Sequence, residues 1–127
     1  MVVSIGSDLV YISRIAAVLE RRGEVFAKRI LRPEEFAVFR KKKNIAQQNA
    51  FLAKRFAAKE ALSKALKTGI GKVSWQHILV TNSASGAPEI TLSDHALTVC
   101  RALGADNIHL SLSDEQDVAL AFVVLST

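Results

Sequence analysis

At 127 residues, half of them hydrophobic, the chain has room for one packed domain spanning 1–127, and its composition excludes a disordered or low-complexity protein. No apolar run reaches the roughly 18 residues that would span a bilayer, and Met1-Val-Val-Ser-Ile-Gly6 lacks the basic and long apolar regions of a secretory signal. The net charge is +5, and the one cysteine, Cys100, excludes an internal disulfide or a multi-cysteine zinc site, which fits a reducing cytoplasm.

In chain order, Val2–Ser7 reads as a short strand with Asp8 at its exit. Tyr11–Arg22 sets Ile12, Ile15, Ala16 and Leu19 on one side, the spacing of an amphipathic helix that Gly23 interrupts. Val25–Leu31 is expected to be a short helical piece, and Pro33 suits the first turn of the next helix, with Phe36 and Phe39 inward. From about Gln47 to Leu66 runs the longest helix, rich in Ala and Leu. Ala53, Ala57, Ala61 and Ala65 recur every four residues, so one face is thin enough for close packing. Lys64 and Lys67 suit its last turn, and Gly69 and Gly71 its end.

The second half reads differently. His77–Thr81 and Glu89–Leu92 are expected strands joined through a turn at 82–88; Ser93–Leu103 is an expected helix. Ile108–Ser113 and Val118–Leu125 form a hairpin around Asp114-Glu115-Gln116-Asp117. Helices early and strands late imply an α+β fold, with a small antiparallel sheet packed on helices that include one long central helix. Val118–Leu125 is apolar throughout, so both its faces should be covered, one by the chain's own helices and the other by a further subunit.

Charge is concentrated: residues 14–43 hold ten of the 17 Lys and Arg against four glutamates. Such a surface steers an acidic partner. Arg40, Lys41, Lys42 and Lys43 read as a solvated face, whereas Arg14, Arg21, Lys28 and Arg29 lie closer in sequence to Asp8. On the long helix, Phe56, Glu60 and Lys64 share a face. From spacing alone Glu60 and Lys64 read as an ordinary exposed ion pair, and Asp8 as a turn-forming residue. Two carboxylates can also share a hard divalent cation such as Mg²⁺, whose shell substrate phosphates often complete. Lys59, Lys64 and Lys67 could supply cations to such phosphates. Because Lys64, Thr68 and Gly69 stand at a helix C-terminus, where the dipole repels anions, the side chains and loop N–H groups must do the holding. His77, His95 and His109 have no metal-ligand spacing and read as structural or exposed.

Gly6-x-Asp8 with Arg14-Ile15, then Arg55-Phe-Ala-Ala-Lys-Glu-Ala61 with Lys64-Ala65 and Thr68-Gly69, resemble the holo-acyl-carrier-protein synthase family, the small bacterial 4′-phosphopantetheinyl transferases. The resemblance continues through Gly86-x-Pro88, His109–Ser113 and Ala119–Leu125, in the same order. It implies that fold, with Asp8 and Glu60 as catalytic residues carrying Mg²⁺ and with Lys59, Lys64, Thr68 and Gly69 binding the coenzyme. It also implies the reaction: coenzyme A donates 4′-phosphopantetheine to a serine of apo acyl carrier protein, for fatty acid biosynthesis, and adenosine 3′,5′-bisphosphate leaves. Either Glu60 or a metal-bound water would take the serine proton. Carrier proteins of this type are acidic, so Arg14, backed by Arg21, Lys28 and Arg29, would receive the carrier. A homotrimer with active sites between subunits is implied as well. Three positions depart from the family pattern: Lys67 replaces a common Gly, Ala87 a frequent Lys, and Asp114 the His of some relatives. The competing readings are a small basic nucleic-acid-binding protein, which lacks any zinc knuckle, recognition-helix signature or aromatic strip here, and an oligomerising protein with a decayed site.

Overall fold

Strand β1 runs from Val2 to Tyr11 in the computed structural model, which describes residues 1–127. It is longer than its apolar start suggests: Asp8 lies inside the strand, opposite Ala121, rather than at its exit. Pairing explains the difference, since the partner strand supplies neighbours as far as Tyr11, opposite Val118. Helix α1 (Ile12–Arg22) follows directly, then α2 (Glu24–Ile30) and α3 (Pro33–Arg40). The long helix α4 (Ile45–Ala65) starts two residues before the expected Gln47, because Asn44 caps it: its Oδ1 accepts the Gln47 N–H at 2.9 Å.

The later strands form two separate sheets. β2 (Ile78–Asn82) and β3 (Pro88–Leu92) make a two-stranded ribbon. His77 stands outside it, in a 3₁₀ turn Trp75–His77, where its Nδ1 accepts the Ser74 N–H at 3.1 Å. After α5 (Asp94–Ala102), β4 (Asn107–Glu115) and β5 (Val118–Ser126) join β1 in an antiparallel sheet of order β1-β5-β4. Asp114 and Glu115 pair with Ala119 and Val118, so the expected four-residue turn shrinks to Gln116-Asp117.

α4 lies across the inner face of this sheet. All four alanines of its thin face, Ala53, Ala57, Ala61 and Ala65, are fully buried, as are Ala119 and Ala121 on β5. β1 approaches closest at Gly6: a Cβ there would overlap the Ala61 carbonyl oxygen and sit 2.7 Å from the Ala65 nitrogen. Around this contact 27 buried hydrophobic residues form one core.

On β5 the inner face is covered by the chain itself, as expected, and the outer face is open. Within a single chain its residues alternate: Ala119, Ala121, Val123 and Leu125 are buried, whereas Leu120 and Phe122 are 40% and 43% exposed. Ile5, Leu9 and Tyr11 of β1 are exposed beside them, leaving the outer face of the sheet apolar and open. No helix is long and apolar enough to cross a membrane.

Gly6→Ala should therefore be costly, because the added methyl meets helix backbone rather than a side chain that can turn away. We expect a loss of about 3 kcal/mol, the upper part of the usual overpacking range. Urea denaturation gives the test, and a wild-type midpoint for the variant would contradict the close approach.

Candidate active site

Asp8 follows Gly6 by two residues, so strand alternation turns both toward α4. Its side chain is only 15% exposed, and its Oδ1 accepts from Lys64 Nζ at 3.0 Å; the same ammonium donates to the Ser7 carbonyl at 3.0 Å. Lys64 thus reaches across to β1 and does not pair with Glu60, as spacing alone suggests. Glu60, one turn earlier on the same face of α4, is half-buried. Burial raises its carboxyl above the ordinary range, the negative charge of Asp8 raises it further, and Lys64 opposes both. The three groups therefore form one electrostatic cluster between β1 and α4.

Two crowded carboxylates, one of them resisting ionisation, are an arrangement that a hard cation relieves. No three His, Cys, Asp or Glu side chains gather anywhere in the chain to hold a metal. A cation here would take Asp8 and Glu60 as protein ligands and fill its remaining positions with phosphate and water oxygens, which suits Mg²⁺.

Lys59 is elsewhere. It is fully buried, with Nζ donating to Glu35 Oε1 at 2.7 Å, to the Ile30 carbonyl at 2.7 Å and to the Trp75 carbonyl at 3.2 Å. All three ammonium protons are used, so Lys59 is not placed to bind phosphate. Burial pulls it down from the ordinary lysine value, and the Glu35 charge works against that.

The end of α4 also differs from expectation. The N–H groups of Thr68 and Gly69 both donate to the Ser63 carbonyl, at 3.2 and 3.1 Å, so they close the helix instead of facing a phosphate. Lys67 adopts φ 66°, a left-handed conformation in which glycine is strain-free, and a lysine there costs about 1–2 kcal/mol. That is a physical reason for glycine at this position in the resembling family.

Among the expected carrier residues, Arg14 and Arg21 are exposed, two turns apart on one side of α1. Lys28 packs over the Phe36 ring at 5.2 Å, and with Arg29 it borders a hollow formed by Ile70, Gly71, Ser74, Trp75 and Gln76. Those two are therefore nearer the loop after α4 than the sequence implies.

Sequence reasoning assigned no role to Arg55, although it opens the motif. It lines a groove between α3, α4 and β2 with Lys42, Lys54 and Asn82, stacks 4.4 Å from the Phe51 ring and donates from Nη2 to Asn82 Oδ1 at 3.1 Å. Its Nε is buried without a partner. Asn82 in turn donates to the Gly86 carbonyl at 3.3 Å, which joins the groove to the Gly86-Ala87-Pro88 turn. The usable signal was an arginine at the border of an otherwise apolar helix stretch. His109 bonds Ser126 through Nε2 at 2.9 Å, and His95 is exposed; neither joins the cluster.

Comparison with known proteins shows the family and the fold. Residues 4–123 match the family model of the 4′-phosphopantetheinyl transferase superfamily. The chain is 48% identical over 125 residues to the holo-[acyl-carrier-protein] synthase of Shewanella amazonensis, with 98% of each chain covered. Its fold superposes with a TM-score of 0.88 on the holo-[acyl-carrier-protein] synthase of Neisseria meningitidis, at 42% identity and full coverage of both chains. It also superposes on the Helicobacter pylori holo-[acyl-carrier-protein] synthase in complex with coenzyme A, with a TM-score of 0.82 at 35% identity, covering 96% and 99% of the two chains.

The raised Glu60 carboxyl gives a pH dependence of definite sign. Ionising it costs stability only in the folded chain. The penalty is absent below the ordinary carboxylate value, grows as pH rises toward the raised folded value and is complete above it. In chelator, Glu60→Gln should thus melt slightly above wild type at pH 7.5, with the difference vanishing near pH 4. Mg²⁺ taking Glu60 as a ligand would displace the same proton, so affinity measured by titration calorimetry should fall as pH drops through the raised value. An affinity that stays flat down to the ordinary carboxylate range would remove Glu60 from the metal site.

Proposed function

The chain belongs to the 4′-phosphopantetheinyl transferase superfamily, and on that premise we propose how its residues carry out the transfer. The enzyme moves 4′-phosphopantetheine from coenzyme A to a serine of apo acyl carrier protein and releases adenosine 3′,5′-bisphosphate. The carrying observation is the junction of Asp8, Glu60 and Lys64 between β1 and α4, within a fold matched over the full length of these synthases.

Asp8 and Glu60 would hold Mg²⁺, which would supply charge neutralisation to the pyrophosphate and polarise the phosphorus under attack. Lys64, 52% exposed in side chain, lies one hydrogen bond from Asp8 and can donate to a phosphate oxygen beside it. The serine hydroxyl attacks the β-phosphorus, a new O–P bond forms, and the bond to the α-phosphate oxygen breaks. Either Glu60 or a water held on the cation would accept the serine proton. The Arg55 groove, where Lys42, Lys54 and Arg55 outnumber Glu34 and Glu35 by one, seats the phosphorylated nucleotide end. Exposed Arg14 and Arg21 on α1 receive the acidic carrier.

The open apolar sheet face calls for further copies of the chain. Ile5, Leu9, Tyr11, Leu120 and Phe122 are each at least 40% exposed in one chain, and their burial among subunits supports a homotrimer whose active sites lie at the clefts. Sedimentation equilibrium should return three chains, and a monomer at micromolar concentration would rule this assembly out.

Intact-mass analysis with purified apo acyl carrier protein, coenzyme A and Mg²⁺ tests the chemistry. One phosphopantetheine should be added per carrier, with at least about 100-fold slower addition in chelator, in Asp8→Ala and in Glu60→Ala. Unchanged transfer by both variants would sink the metal assignment, and no transfer to any carrier by folded protein would sink the function.

A further inference from the structure

Helix α1 has no cap of its own. Tyr11 at the N-cap offers no side-chain hydrogen bond, and no acidic residue lies in the first turn. Its exposed N–H groups are served instead from more than a hundred residues away. The Ser13 N–H donates to Asp117 Oδ1 at 2.9 Å, the Ser13 hydroxyl donates to Oδ2 at 2.6 Å, and the Ile12 N–H donates to the Asp117 carbonyl at 2.8 Å. Asp117 sits in the two-residue β4–β5 turn, held there by pairing of Glu115 with Val118 and of Val118 with Tyr11.

We propose that Asp117 is a positioning residue for carrier docking: it caps α1 from outside and so fixes the turn that carries Arg14. This rests on the reading of α1 as the carrier surface. The rest of the helix does not need the cap, since Ile15 and Leu19 anchor it in the core. Arg14, third residue of the helix and exposed, precedes that anchorage. Its direction therefore depends on whether the first turn is closed. The carboxylate also places negative charge at the positive end of the helix dipole, which strengthens the cap. The bonds of Asp117 to α1 end on Ser13 and Ile12, and none of its side-chain bonds reaches Asp8 or Glu60; it acts through Ser13 on the geometry of its neighbour.

The test is a double-mutant cycle on the full chain with apo acyl carrier protein and coenzyme A. Asp117→Ala should raise the KM for carrier about fivefold, the fold-change that corresponds to the loss of one helix cap. The kcat and the KM for coenzyme A should stay within about twofold, which a general loss of folded enzyme would not produce. Asp117→Asn keeps an oxygen that can accept the Ser13 N–H and should recover part of the loss. Combined with Arg14→Ala, Asp117→Ala should add little; combined with Arg21→Ala, the effects should multiply. Amide exchange should accelerate at residues 13 and 14 but not at 19–22.

Multiplicative effects with Arg14→Ala, or an unchanged carrier KM in Asp117→Ala while Arg14→Ala raises it, would overturn the positioning role and leave α1 as the carrier surface. An unchanged carrier KM in Arg14→Ala itself would overturn that surface, and the proposal with it. If Asp117→Ala folds poorly, Ser13→Ala removes the hydroxyl contact alone and should reproduce a smaller carrier-specific rise. A rise equal for carrier and coenzyme A would again count against the proposal.

Discussion

The contact of Gly6 with Ala61 and Ala65 sets the distance between sheet and helix, and the site exists only at that distance. Asp8 follows Gly6 on the same strand face, while Glu60 and Lys64 flank Ala61 on the helix. A larger side chain at 6 or 61 would move the two carriers of charge apart together. Small residues on β5, Ala119 and Ala121, continue the thin seam. Such a seam buries little apolar area per residue, so its cohesion comes from many close backbone contacts rather than from large side chains. The same closeness keeps Asp8 largely shielded from water, although its ion-pair partner Lys64 is half exposed.

The opposite side of α4 is fixed by a different interaction. Lys59 and Glu35 form a buried pair whose hydrogen bonds reach α2 at Ile30, the 3₁₀ turn at Trp75, β2 at Val80 and the start of α3 at Arg32. A pair of this kind adds little net stability over an apolar substitute, but breaking one side of it leaves a charge stranded. Its effect here is directional. With Lys59 locked inward, helical geometry turns Glu60 about 100° away, toward β1. Two adjacent residues of one motif thus serve two faces, Lys59 organising the helical layer and Glu60 turned toward Asp8 and Lys64.

Much of this was legible in the chain, and what was missed has physical causes. The element order, the thin alanine face and the need to cover the outer sheet face all follow from periodicity, and the structure has them. The limits of β1 and of the β4–β5 turn were misplaced because ladder pairing with β5, not local propensity, decides them. The resemblance implies that Lys59 binds the coenzyme, yet its side chain is buried. Its spacing was the better guide: Leu52, Arg55, Lys59, Leu62 and Leu66 recur at intervals of three and four, a buried stripe on which two cations replace apolar residues. The meeting of Asp8 with Glu60 could not be read from periodicity, since 52 residues separate them and nothing local sets their register. Family resemblance alone brought them together at that level. The Thr68 and Gly69 N–H groups were assigned outward because helix closure by Ser63 depends on the left-handed turn at Lys67, which a lysine does not announce.

That closure sharpens the problem of holding phosphate at a helix C-terminus. The dipole there is negative, and the two loop N–H groups that might have offset it already face Ser63. Asp8, Glu60 and Lys64 together carry one formal negative charge when all are ionised, so the bare cluster repels an anion. Burial first, and the Asp8 charge second, raise the Glu60 carboxyl, so ionisation there is already disfavoured without a cation. With a divalent cation on the two carboxylates, the cluster carries one formal positive charge instead, and the Lys64 ammonium no longer has to neutralise Asp8. On the proposed function, anion binding at this end of α4 would be conditional on the cation, through the sign of the local charge rather than through any rearrangement of the fold.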